Sequence, residues 1–343
     1  MVFNTTSASS LDKWRSPTYQ ALIKQLVFGI VGVGIAFFFY RSGYQNVVNK
    51  SPYLLMISTF LLILVFIPKI GLQLHGAKRW IRLLGFSFQP SEIAKFVLPI
   101  YFIHRIVTLT KEMDVKTYLK ILSYLALPLA LILLEPDNGT TLIIAMTLVV
   151  LFILCRVRWI YWALPLFFLV LLGGLVAYQM PHVHDRIRIY LNPELDLQGK
   201  GHQPYQAKIA AGSGRLWGKG LGESLQKLNY LPEARSDYIA AIYAEEFGFI
   251  GVSFLLLLYM LFAYAGFQIA MQAKDPIEFY LASLITFMVS FQAFLNLGVV
   301  STLLPSKGTT LPFFSMGGTS LTCNLIAVFL LIRIEASCQK KLS

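Results

Sequence analysis

Charge is what this sequence has least of. Asp, Glu, Lys and Arg make up 13% of its 343 residues, against about a quarter in soluble domains. Hydrophobic types make up 56%, and the mean hydropathy is +0.64. A water-soluble surface cannot be built from so little charge, so the chain reads as an integral membrane protein. Cysteine is scarce too. Cys155, Cys323 and Cys338 form neither a disulfide framework nor a metal-ligand spacing. His182 and His184 have no third ligand nearby in sequence, which argues for loop histidines rather than zinc. There is no low-complexity segment and no convincing internal repeat. The first 17 residues, MVFNTTSASSLDKWRSP, lack the long apolar core of a signal peptide.

What remains is apolar run after apolar run, at about 18–40, 53–72, 91–109, 118–135, 139–155, 159–179, 246–270, 277–300 and 311–333. Backbone in lipid must satisfy its own hydrogen bonds, so each run is expected to be an α-helix. At roughly 20 residues per span, the fold class is an all-α polytopic membrane protein with about nine transmembrane helices. It is one membrane domain, 1–343, with a single large polar loop at 180–245. Lys and Arg in the connections set the orientation. Arg41, Lys50, Arg105, Lys111, Lys116, Lys120, Arg156, Arg158, Lys274, Arg333, Lys340 and Lys341 fall on one side, read as cytoplasmic. Lys78, Arg79, Arg82 and Lys307 sit in short loops of the opposite side, against that rule. Their simplest use is binding an anion outside the cytoplasm; the net charge of +12 reads partly as cytoplasmic loop charge that sets topology and partly as attraction to an anionic substrate or lipid headgroups.

Four polar constellations face that opposite side. In GAKRWIRLLGFSFQPSEIAKF (76–96), Glu92 and Lys95 are three apart at a helix start and share a face. They read either as a salt bridge that neutralises both or as a cavity-lining pair. In LEPDNGT (134–140), Pro136, Asn138 and Gly139 make a turn. Glu135 and Asp137 are not needed for a turn, and Asp137 is a candidate for a divalent cation, although two carboxylates are a weak set. The third is GSGRLWGKGLGESLQKLNYLPEARSDYIAAIYAEEFGFIG (212–251), with Lys219, Arg235, Asp237, Glu245 and Glu246. Its glycines miss the nucleotide-loop spacing yet let backbone amides approach a phosphate. Ser236 is placed to cap a helix starting at Asp237, where the helix dipole favours a carboxylate. The fourth is LLPSKGTTLPFFSMGGTSL (303–321), an irregular entry to the last helix that carries Lys307.

These four motifs, in this order over nearly the whole chain, resemble the SEDS family of membrane proteins (shape, elongation, division and sporulation), to which FtsW and RodA belong. LLPSKG and SLQKLNYLPEA resemble the FtsW version more than the RodA version. The resemblance implies a peptidoglycan glycosyltransferase. It would polymerise lipid II, an undecaprenyl-pyrophosphate-linked disaccharide peptide, on the outer face of the bacterial cytoplasmic membrane at the division site. It further implies a class B penicillin-binding protein transpeptidase and other divisome membrane proteins as partners, with no nucleic acid and no organic cofactor. The family aspartate in the motif reading LPEARSDY falls on Asp237, and the family Glu–Lys pair falls on Glu92 and Lys95. Arg235 and Ser236 stand where family members commonly have His-Thr, and Met316 where they often have Tyr. The family has ten helices, and the opening residues resemble the tail of its first one, so a truncated chain or a late start codon is expected.

The implied reaction joins a sugar hydroxyl of one lipid II to the anomeric carbon of another. A hydroxyl needs a base, assigned to Asp237. The pyrophosphate leaving group needs charge neutralisation, for which Lys78, Arg79, Lys219, Arg235 and Lys307 are the candidates, together with a divalent Mg or Mn ion. The competing readings are a RodA-like elongation polymerase, a lipid II flippase and a non-catalytic scaffold for the transpeptidase. A flippase would string polar groups along a path through the membrane, whereas here they cluster at one face.

Overall fold

A computed structural model describes residues 19–340 apart from 69, 75–76, 84–85, 110–112, 179–187, 191, 198, 200, 227–230, 232–234 and 306–307. Lys307 and most of LPEA therefore lie outside the described residues. The helices are α1 (Tyr19–Ser42), α2 (Tyr44–Asn49), α3 (Ser51–Val65), α4 (Pro90–Val107), α5 (Val115–Leu134), α6 (Asn138–Leu154), α7 (Trp159–Tyr178), α8 (His202–Ser213), α9 (Ile239–Gln272), α10 (Pro276–Val300) and α11 (Gly318–Lys340). Of these, α1, α5, α9, α10 and α11 are long and apolar enough to cross a membrane on their own. Their outer faces leave large apolar side chains such as Ile30, Phe38 and Met260 exposed, as a lipid solvent requires.

The chain folds into two compact units. One comprises Val27–Tyr161, Phe262–Phe291 and Gly318–Ser343; the other comprises Met1–Leu26, Trp162–Leu261 and Gln292–Gly317. In the first, α4 is the hub and is buried along most of its length, from Pro90 to Ile103. Phe102 of α4 and Tyr118 of α5 both meet the Phe152 ring of α6 edge-on. Helix starts are locally encoded. Asp114 caps α5 by accepting from the Thr117 amide at 3.0 Å, and Asp137 caps α6 through the Thr140 amide at 3.3 Å. At the other end of this unit, buried Glu278 of α10 accepts from the Tyr44 hydroxyl and from Ser337 Oγ, tying α2, α10 and α11 together.

The segment 73–90, expected as a loop, is instead a three-stranded antiparallel sheet with order β1 (Gly71–Leu74), β2 (Ala77–Leu83), β3 (Phe86–Phe88). Leu72 pairs with Trp80, and Ile81 with Phe88. Three strands with aromatic and branched residues in register can hold together where a lone hairpin would not.

In the second unit, the core joins Ala207 and Ala210 of α8, Leu231, Tyr238–Ile242, Ala293 and Val299 of α10, and Leu311. Helix α8 lies inside the polar loop that the sequence left without structure. The expected 246–270 helix begins seven residues earlier, at Ile239, and the last helix begins at Gly318 rather than 311. Residues 311–317 are held in irregular form by side-chain hydrogen bonds, described next.

Candidate active site

Asp237 belongs to a four-residue turn, Arg235–Tyr238, immediately before α9. Three successive carbonyls of that turn are occupied by donors from elsewhere in its unit. Arg235 O accepts from the Met316 amide at 3.0 Å, and Ser236 O accepts from Ser315 Oγ at 2.6 Å. Asp237 O accepts from Asn296 Nδ2 at 2.8 Å. The donors are held in turn: Ser315 Oγ accepts from the Leu311 amide at 2.7 Å, and Asn296 Nδ2 also donates to Thr309 O at 2.6 Å. One turn earlier on α10, Gln292 Nε2 donates to Thr310 O at 2.8 Å. Phe313 holds φ +63 in this segment, a strained position for a bulky residue that surrounding contacts must fix. The result is a partly buried acid on a backbone held at three successive carbonyls.

Eight residues on, Glu245 has no exposure. Its carboxylate accepts from Lys219 Nζ at 2.6 Å, Ser224 Oγ at 2.5 Å, and the Leu225 and Gln226 amides at 3.3 Å each. A carboxylate so committed cannot also take a proton from a substrate. Lys219 keeps 31% of its side chain exposed while making this pair, so it remains able to meet an anion.

The first unit carries the other candidates. Lys95 Nζ lies 2.7 Å from Glu92 Oε2, and their side chains are 1% and 8% exposed; the expected pair forms and is buried. Asp137 has both oxygens engaged. Oδ2 accepts from Gln89 Nε2 at 3.2 Å and Ser91 Oγ at 3.1 Å, while Oδ1 accepts from Thr140 N and faces Arg79 at 3.8 Å. Arg79 also donates to the Glu135 and Pro136 carbonyls, so this candidate phosphate partner serves the turn. Lys78, on β2, is exposed. Glu135 has no exposure and neither oxygen has a hydrogen-bond partner. Burial first, and the nearby Asp137 second, push its carboxyl up to about 8, with Arg79 opposing.

Among the described residues no three His, Cys, Asp or Glu side chains come together. A cation on Asp137 would have to displace Arg79 or the Gln89–Ser91 donors. The residues at Asp137 therefore do not fit a resident divalent ion.

Sequence reasoning missed Asn296, Gln292 and Ser315. The signal was present for two of them: two amides four apart in an otherwise apolar run share a helix face and need partners in a membrane.

The profile of the cell cycle protein family FTSW_RODA_SPOVE matches residues 1–340. The chain is 37% identical over 348 aligned positions to "Probable peptidoglycan glycosyltransferase FtsW" of Trichlorobacter lovleyi, covering 98% of this chain and 88% of that protein. It is 37% identical over 321 positions to "Stage V sporulation protein E" of Bacillus subtilis, covering 91% and 86%. Among solved structures it is similar to a chain reported under "Structural coordination of polymerization and crosslinking by a peptidoglycan synthase complex". There the TM-score is 0.79 and the identity 26%, with 98% and 95% covered. RodA of Thermus thermophilus matches with a TM-score of 0.68 and 25% identity, covering 98% and 93%.

Proposed function

The chain belongs to the FtsW, RodA and SpoVE cell cycle family, and from that premise we propose that it is a peptidoglycan glycosyltransferase of the FtsW type. It polymerises lipid II at the outer face of the cytoplasmic membrane, at the division site. The observation that carries the mechanism is the Asp237 turn: three of its carbonyls are held by donors from its own unit, and Asp237 itself is only partly buried. A general base has to be held in place and still be reachable by substrate.

Asp237 takes the proton from the acceptor sugar hydroxyl. That oxygen attacks the anomeric carbon of the donor, the carbon–oxygen bond to pyrophosphate breaks, and the configuration inverts. The leaving pyrophosphate needs positive charge rather than a proton. Lys219 and Arg235, in the same unit as Asp237, are the described cations nearest to it in sequence. An ion brought in on the substrate's own pyrophosphate is the form of magnesium or manganese dependence this donor set allows. The structural relative that coordinates polymerization with crosslinking in a peptidoglycan synthase complex supports a crosslinking partner, in this proposal a class B penicillin-binding protein; other divisome membrane proteins are a further part of the proposal. The preference for the FtsW role over a RodA role in elongation rests on relatives with that name.

The test is reconstitution in vesicles with lipid II supplied only on the outer leaflet. Glycan strands should form there. Movement of lipid II across the bilayer without polymer would favour a flippase, and neither activity would favour a scaffold.

A further inference from the structure

Helix α9 is interrupted. Gly248 has φ +63 and ψ −162 inside it, which breaks the ladder and orphans amides on one side and carbonyls on the other. The glycine loop fills both sets. The Phe249 and Ile250 amides donate to Arg215 O at 2.9 Å and Leu216 O at 3.2 Å. In the opposite sense, the Lys219 and Gly220 amides donate to the Glu245 and Glu246 carbonyls at 3.0 Å each. The fit is backbone on backbone: a Cβ at Gly218 would stand 2.1 Å from Glu246 O, and one at Gly214 would stand 2.0 Å from Ala244 O.

The Glu245 side chain closes this splice from within, by holding Lys219, Ser224 and the amides of Leu225 and Gln226. Gln226 O then accepts from the Leu231 amide at 3.1 Å, and Leu231 packs in the same core as Tyr238 and Ile239. A continuous path thus runs from Glu245 through the loop to the turn that carries Asp237. Glu245 is fully buried and its carboxylate is committed to these donors, so it acts on the reaction through the loop rather than on substrate.

We propose that Glu245 is a positioning residue of the transferase, locking the 213–226 loop onto the break in α9 and thereby fixing the Asp237 turn. The proposal rests on the transferase reading for its catalytic consequence, and on the splice geometry alone for its structural one.

The test uses full-length Glu245→Gln, which keeps the side chain's shape and replaces one acceptor oxygen with a donor. Backbone amide exchange over 213–226 should quicken by about tenfold or more, because local opening of the splice is no longer opposed by the carboxylate. The kcat for glycan formation should fall about 10- to 100-fold with KM for lipid II nearly unchanged, as expected for misplacement of a catalytic group. The acid limb of the pH–rate profile should stay where it is in the parent, because the base is unchanged. Ser224→Ala, which deletes a single donor to the Glu245 carboxylate, should move exchange and kcat the same way by less. Parental exchange and kcat in both variants would overturn the proposal. So would disappearance of the acid limb in Glu245→Gln, since that would make Glu245 the base. A normal kcat with quickened exchange would overturn the catalytic half. An active Asp237→Asn would sink the base assignment instead, and the exchange result would still decide the lock.

Discussion

At the scale of single residues, the buried acids have distinct fates. Glu92 is neutralised by Lys95 at 2.7 Å, and breaking one half of such a pair leaves an uncompensated charge, a loss of about 3–5 kcal/mol. Lys95→Met should therefore lower thermal stability and activity more than the double variant Lys95→Met/Glu92→Gln. Equal activity loss in both, at equal protein levels, would assign the pair to substrate handling. Glu135 has no such partner and holds its proton up to about pH 8, against an ordinary 4.5. The folded state thus binds more protons than the unfolded one across that window, so stability is greatest below it and falls as pH rises through it. Melting midpoints should decrease between about pH 5 and pH 8, and Glu135→Gln should flatten that slope by keeping the site neutral throughout. An unchanged slope in the variant would show that the carboxyl is already ionised at low pH.

At the scale of elements, the spliced helix makes its own prediction. Gly218 has φ +82 and no room for a Cβ against the Glu246 carbonyl. Gly218→Ala should reduce stability by at least about 1–3 kcal/mol and reduce polymerisation with it; a melting midpoint equal to the parent's would mean the loop is not seated there. None of this was readable in the sequence, where the same glycines suggested only phosphate approach. Their use depends on carbonyls some 30 residues away, at 244–246. The helices were legible because lipid leaves the backbone no alternative, and the Glu92–Lys95 spacing was legible because it is local; Asp137, read as a cation candidate that the turn did not need, instead caps α6. The 71–88 sheet was not, because three strands of four, seven and three residues carry too short an alternation to outweigh the surrounding apolar pattern. Helix α8 was hidden for a similar reason: HQPYQAKIAAGS is too polar to register as a membrane run.

At the scale of the whole molecule, a chain of the FtsW, RodA and SpoVE family presents an acid on a backbone turn secured by Met316, Ser315 and Asn296. The central claim is that this acid, Asp237, is the general base of glycan polymerisation. An acid placed only to complement a helix dipole contributes about 0.3–1 kcal/mol of stability and leaves the chemistry untouched. A general base contributes about 10²–10⁴-fold in rate. The direct measurement is polymerisation of lipid II by purified Asp237→Asn protein, with its melting midpoint and transpeptidase binding shown to match the parent's. The account predicts a fall of about 10²-fold or more in the rate of glycan formation; a rate within about threefold of the parent would contradict it.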